Sequence, residues 1–326
     1  MGQSYAVIGA GAIGAYVGAA LARGGSNVTL VARGAHLAAM QRAGVRVISA
    51  RGDFTARPRA VKSIAEVGPV DVVILALKAQ QIAAIAPELH ALNHDRTAIV
   101  AMQNGIPWWY FQRHGGSYDG RTVEAVDPGG VLACTIDSAR VVGCVIYSST
   151  EIVEPGVIRH LEGTRYSLGE PDRTLSERVR AIAADFVAGG LKAPVEPDIR
   201  NDIWVKLLGN AAFNPISALT RATLVAMAED PGVHALVVEM MMESMAIAER
   251  LGSPVDISIE KRIEGARRVG GHKTSMLQDL EARKAFELDA LVGAVVELGA
   301  LVGIPTPATA HVYALAQLLD RTNRAG

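Results

Sequence analysis

The chain has 326 residues, half of them apolar and a fifth charged, with 32 Lys and Arg against 33 Asp and Glu for a net charge of −1. That length suits one large or two ordinary domains, and the apolar share excludes intrinsic disorder over most of it. The charge balance speaks against a broad basic surface for nucleic acid. Two cysteines, Cys134 and Cys144, are expected as free thiols in buried strands rather than as a disulfide.

Tyr5–Ala22 carries no charge, long enough to raise the question of a membrane span or signal peptide. No Lys or Arg precedes it, and glycines at 9, 11, 14 and 18 suit a strand–turn–helix better than a helix in lipid. Ala6 stands where an N-myristoylation signal needs Ser or Thr. The expectation is a soluble, cytoplasmic protein. The first third then alternates short apolar runs with helical stretches. Strands are predicted at Tyr5–Ile8, Val28–Val31, Val70–Leu77 and Ala98–Met102, helices at Ala12–Arg23 and from Gln80 to about Leu92. Wholly apolar strands alternating with helices predict an α/β fold, with a parallel sheet covered on both faces. Right-handed crossovers make that sheet doubly wound, of Rossmann type. From Val131 to Ser149 and Gly156 to Leu168, strands with short turns are expected. Beyond Pro197 the strand signals stop, and apolar residues recur at helical spacing, as in Leu288, Leu291, Val292, Val295 and Leu298. Pro194 and Pro197 put the boundary in Lys192–Asp198. This predicts a dinucleotide-binding domain over 1–197 and an all-α C-terminal domain over 198–326.

Residues 7–18, VIGAGAIGAYVG, contain Gly9-x-Gly11-x-x-Gly14. The spacing would give a tight turn at Gly9, close approach of backbone to a pyrophosphate at Gly11, and close helix–strand packing at Gly14. Because it follows an apolar strand and opens a helix, it points to dinucleotide binding rather than to a structural turn alone. An NAD-binding chain usually carries an acid near the end of its second strand. Here the sequence reads Leu30-Val31-Ala32-Arg33-Gly34, and a guanidinium suits a 2′-phosphate. Lys78 is a second cation, at the end of the next apolar strand. NADP is favoured over NAD, the alternative being that Arg33 is a solvated surface residue.

In residues 201–220, Lys206, Asn210 and Asn214 stand four apart, which on a helix puts one cation and two amides on one face. Pro215 disfavours helical geometry at Asn214, so the third member is expected at a bend. A solvated face is the bland alternative; the apolar flanks Leu207, Leu208, Ala211 and Phe213 argue against it.

An N-terminal GAGAIG, LALKA at 75–79, QNG at 103–105, KLLGNAAFNP at 206–215, and TSMLQD followed by Glu287 together resemble the ketopantoate reductase family over nearly the whole chain. The resemblance implies NADPH-dependent reduction of a 2-oxo acid, in the pantothenate pathway for true members. It implies Lys206 as catalytic lysine and Glu287 as active-site glutamate. Asn104, Asn210, Asn214 and Ser275 match the substrate-contacting residues; Gly9, Gly11, Gly14, Arg33, Lys78 and Asn104 match the cofactor positions. The partner it implies is a small-molecule 2-oxo acid, with no nucleic acid and no membrane, and it leaves a homodimer open.

The chemistry agrees. Hydride arriving at a keto carbon leaves negative charge on oxygen, which needs a proton donor or a fixed positive charge. A lysine, with a reference pKa of about 10.4, is charged at neutral pH, and burial would bring it nearer the working range. Glu287 could accept a bond from a substrate hydroxyl or hold the lysine. The eight histidines show no ligand-like spacing, so no metal is expected, and His272 reads as a loop residue. The chain departs from the family after Gly105, with Ile106-Pro107-Trp108-Trp109-Tyr110-Phe111. This is either a packed insertion or dimer contact, or an aromatic wall that reshapes the substrate pocket. Two other functions stay open: reduction of a different 2-oxo acid, and a non-enzymatic NADP sensor, against which Lys206 and Glu287 speak.

Overall fold

The computed structural model describes residues 2–325. The chain forms two compact units: one holds the chain up to Gln103 with Phe111–Thr122 and Val131–Ile199, the other Asn104–Tyr110, Val123–Gly130 and the chain from Arg200 on.

The first unit is built on a nine-stranded sheet: β1 (Ser4–Ile8), β2 (Asn27–Val31), β3 (Val45–Ser49), β4 (Phe54–Ala56), β5 (Arg59–Val61), β6 (Val72–Leu75), β7 (Ala98–Ala101), β8 (Val141–Glu154) and β9 (Val157–Gly169). Their order is β4-β3-β9-β8-β7-β6-β1-β2-β5. From β8 to β5 every neighbouring pair is parallel, the Rossmann-type core expected. β8 and β9, and β3 and β4, pair antiparallel. Every residue of β6 and β7 is apolar and buried, which a sheet covered on both faces demands. At the head of β1, the backbone N–H and hydroxyl of Ser4 both donate to Asp71 Oδ2 at 2.8 Å, and His94 Nε2 lies 3.1 Å from Asp71 Oδ1. The clip ties β1 to the start of its neighbour β6.

β4 and β5 are the outermost strands, yet only Arg57 and Pro58 separate them in sequence. The sheet therefore curls, as strand twist allows, until its edges approach. Helix α1 (Ala12–Arg23) lies in the curl, packed on β1, β2, β3, β4, β8 and β9. Its small residues make this fit: a Cβ on Gly18 would overlap the Leu30 side chain.

The remaining helices of this unit are α2 (Gly34–Ala43), α3 (Ala79–Ile82), α4 (Val131–Thr135) and α5 (Glu177–Ala188). Two expectations are corrected here. The helix expected from Gln80 to Leu92 is broken into α3 and a 3-10 segment, Ala86–Leu92. Pro87 disfavours helical geometry in the residue before it and cannot donate to the ladder. The strand expected from Val131 starts only at Val141, because Val131–Thr135 is helical. Cys134 is consequently exposed on α4, while Cys144 is buried in β8; both are free.

The second unit is helical: α6 (Ile199–Thr220, whose first residue belongs to the sheet unit), α7 (Leu224–Glu229), α8 (Pro231–Arg250), α9 (Ile259–Val269), α10 (Ser275–Glu281), α11 (Ala294–Val302) and α12 (Pro307–Ala325). A π-helical turn, Asp289–Gly293, precedes α11. Leu288, Leu291, Val292, Val295 and Leu298 are all buried, as their spacing predicts. Among the described residues no helix is long and apolar enough to cross a membrane.

Candidate active site

In the sheet unit the carboxyl ends of β1, β2, β5 and β6 open into a cleft of about 1080 Å³ lined by Gly9, Gly11, Arg33, Lys62 and Leu77 among others. Gly9 turns the chain at φ +96°, a conformation that favours glycine, and a Cβ there would press on Leu77. A Cβ on Gly14 would overlap the Gly9 carbonyl, so helix and turn touch directly. A Cβ on Gly11 would meet nothing within 4 Å. The space beside the first backbone N–H groups of α1 is therefore open, and it suits a pyrophosphate. Arg33 follows β2 and caps α2, and the only carboxylate among the lining residues is Glu88. Lys78 caps α3, with its backbone N–H on Gln81 Oε1 at 3.2 Å, between the cleft residues Leu77 and Gln80. His36 and Lys62 also line the cleft; no pattern in the sequence marks either. The His36 Nδ1 accepts the Gly156 N–H at 2.9 Å. Burial lowers its pKa, opposed by the Ala10 backbone in the glycine turn.

In the helical unit, Lys206 Nζ donates to Asn104 Oδ1 at 2.5 Å, and Asn104 Nδ2 donates to Glu287 Oε2 at 3.3 Å. One amide thus spans a cation and a carboxylate, oxygen towards the ammonium and nitrogen towards the carboxylate. Asn214, buried, directs Nδ2 at Ser275 Oγ, 3.4 Å away at the start of α10. Asn210 lies between them on α6, half-buried. The bend expected at Asn214 is absent: α6 continues through Pro215, although proline removes the bond to the Ala211 carbonyl. Leu207, Leu208, Ala211, Ala212, Phe213 and Ile216 are all buried, and that packing outweighs one lost bond. Asn104 reaches the cluster because Gly105, at φ +82°, lies on the π turn, where a Cβ would overlap the Ala290 carbonyl. The next residue, Ile106, donates its N–H to that same oxygen at 2.9 Å. Among the described residues no group of three or more His, Cys, Asp or Glu is placed to hold a metal.

The family profile "Ketopantoate reductase PanE/ApbA" matches residues 5–114, and "Ketopantoate reductase PanE/ApbA C terminal" matches residues 198–320. A 2-dehydropantoate 2-reductase of Mesorhizobium japonicum is 50% identical over 314 residues, 96% of each chain. The chain belongs to the ketopantoate reductase family. A solved Ralstonia solanacearum structure, named provisionally as a ketopantoate reductase, superposes with TM-score 0.93 at 41% identity over 100% of this chain and 99% of that one. The 2-dehydropantoate 2-reductase of Methylococcus capsulatus does so with TM-score 0.83 at 30% identity over 98% and 97%. Membership in the ketopantoate reductase family implies a nicotinamide cofactor, and the glycine turn with its open flank at Gly11 fits one.

Within this ketopantoate reductase fold the aromatic run after Gly105 proves to be packing. Trp108 is 2% exposed and Trp109 1%, so neither is an open wall nor a contact for a second copy. The wholly buried Arg200 donates Nε–H to the Tyr110 carbonyl oxygen at 2.7 Å and lies over the Trp109 and Tyr110 rings, 5.9 and 5.7 Å from their centroids. Trp204 Nε1 donates to the Tyr110 hydroxyl at 2.7 Å. Both partners sit on α6, upstream of Lys206. Asn104–Tyr110 is thus fastened at one end to the π turn and at the other to α6. Nothing in the sequence singled out Arg200.

Proposed function

We propose that the protein reduces 2-dehydropantoate (ketopantoate) to pantoate with NADPH, a step of pantothenate synthesis in the cytoplasm. The observation that carries this reading is the Lys206–Asn104–Glu287 chain of contacts, with Asn214 and Ser275 on the same helical unit. When bound, the dihydronicotinamide supplies a hydride to the keto carbon. The work of this chain's own residues is then to meet the charge that develops on oxygen. An ammonium has three N–H donors, and Asn104 takes one from Lys206, fixing its direction. Lys206 can therefore stabilise the developing alkoxide and pass it a proton, a contribution of roughly 10²- to 10⁴-fold. Glu287, through Asn104, holds that arrangement. Asn210, Asn214 and Ser275 offer neutral hydrogen bonds to the acid and its hydroxyl. In the cleft, Gly9, Gly11 and Gly14 would admit the pyrophosphate, Arg33 supplies positive charge for a 2′-phosphate, and Lys78, which follows β6, supplies a second positive charge for the cofactor. In functional terms residues 1–197 are the dinucleotide-binding domain and 198–326 the catalytic one, with Asn104 serving the second.

A panel of 2-oxo acids assayed with NADPH, followed by loss of nicotinamide absorbance, tests the proposal. Ketopantoate is expected to give the highest kcat/KM. A higher value for another 2-oxo acid would make the protein a reductase of that acid, and no turnover on the whole panel would return it to a sensor.

A further inference from the structure

This inference rests on the NADPH reading above and names a residue that determines it. The ends of β2 and β5 are neighbours by register: Val31 pairs with Val61, and the Ala32 N–H donates to the Val61 carbonyl oxygen at 3.0 Å. Lys62 and Arg33 therefore follow neighbouring strand ends, one and two residues past the last pair, and both line the cleft. Both are exposed, and among the described residues no hydrogen bond or ion pair engages either side chain. Two uncommitted cations at one end of a nucleotide cleft repel each other unless an anion comes between them. We propose that Lys62 is a specificity-determining residue which, with Arg33, clamps the 2′-phosphate of the cofactor's adenosine.

The strand order supports the assignment. Along β6-β1-β2-β5, the glycine turn follows β1, Arg33 follows β2, and Lys62 stands one strand farther out. A dinucleotide whose pyrophosphate rests on the glycine turn brings its adenosine ribose to the end of the second strand, so a group on that ribose falls between Arg33 and Lys62. The two cations divide the work by their chemistry: the guanidinium offers a planar fork, the ammonium a compact charge on a flexible stem. The turn after Lys62 is held in place, because the backbone N–H and the hydroxyl of Ser63 donate to Glu66 Oε1 at 2.9 and 2.8 Å. Glu66 is the nearest acid in sequence, and its carboxylate is committed to that turn. Glu88 lines the cleft from the segment that follows β6, two strands removed from β2.

The test is calorimetric binding of adenosine 2′,5′-bisphosphate and of 5′-AMP to the full-length protein, in wild type, Lys62→Ala and Lys62→Glu. Wild type is expected to prefer the bisphosphate. Lys62→Ala should weaken the bisphosphate by about tenfold, or about 1.4 kcal/mol, and Lys62→Glu by more, with 5′-AMP held within about twofold in both. Raising the salt should narrow the gap between wild type and variant, as screening of an exposed charge requires. The ratio of kcat/KM for NADPH over NADH should fall in parallel. Unchanged bisphosphate affinity in both variants, in a protein that does prefer the bisphosphate, overturns the role of Lys62 and leaves the NADPH reading standing. A wild type without that preference overturns the NADPH reading, and this inference with it.

Discussion

The amide of Asn104 is the pivot of the helical unit's polar cluster, since its oxygen accepts a hydrogen bond from Lys206 and its nitrogen donates one to Glu287. Replacing Lys206 with Ala should lower kcat by roughly 10²- to 10⁴-fold while cofactor affinity, read by fluorescence titration, stays put. Turnover near wild type would take Lys206 out of the chemistry. Glu287→Gln is expected to lower kcat more than it raises KM, because the carboxylate acts through Asn104. A change confined to KM would instead mean that it grips the substrate. Asp71 shows a different use of charge. The Ser4 backbone N–H, helped by the Ser4 hydroxyl and His94 and opposed by partial burial, holds its carboxyl below the usual range. The stability this lends is present above the ordinary aspartate value of about 3.9 and is lost as pH falls through the lower folded value. Asp71→Asn should therefore be less stable than wild type at neutral pH, the gap closing in acid. Urea midpoints measured across pH would refute this by showing a constant gap.

Element by element, legibility followed the physical signal. α1 matched its expected bounds because the glycine turn and the charged Arg23 mark both ends. β6 and β7 were readable because continuous apolar runs have few other uses. The three-residue strands β4 and β5 were not, as runs that short show no period, and with them went Lys62. The spacing of Lys206, Asn210 and Asn214 was plain in sequence, but Asn104 was singled out only through resemblance, as a substrate and cofactor contact, and its bond to Lys206 was not foreseen. No periodicity announces a loop laid on a π turn. That loop's seat gives a prediction of its own. Gly105→Ala asks an alanine to hold φ +82° and overlap the Ala290 carbonyl. It should cost at least about 1–3 kcal/mol in stability and depress kcat by displacing Asn104. A variant with an unshifted urea midpoint and normal turnover would show that the seat is slack.

At the scale of the whole molecule, the curl that lets Arg57 and Pro58 link the two edge strands could not be read from residues 57 and 58, because it is a property of strand order. The doubly wound class could be read, since alternation of element types decides it. The cofactor cleft gives a global prediction: a ligand that binds only the folded state at 100 times its Kd adds about 2.7 kcal/mol. NADP should therefore raise the melting temperature by on the order of 5–10 °C, measured by far-ultraviolet ellipticity. No shift at saturating NADP would contradict binding at the glycine turn. The aromatic run carries one more consequence. Trp108, Trp109 and Trp204 are the chain's only indoles, and all three are buried in the helical unit. Light absorbed by indole therefore interrogates that unit alone. Its emission should begin blue-shifted and move to the red as those helices open, whereas ellipticity sums over the sheet as well. The two signals, recorded together, separate the unfolding of one half of the chain from that of the other without a label or a mutation.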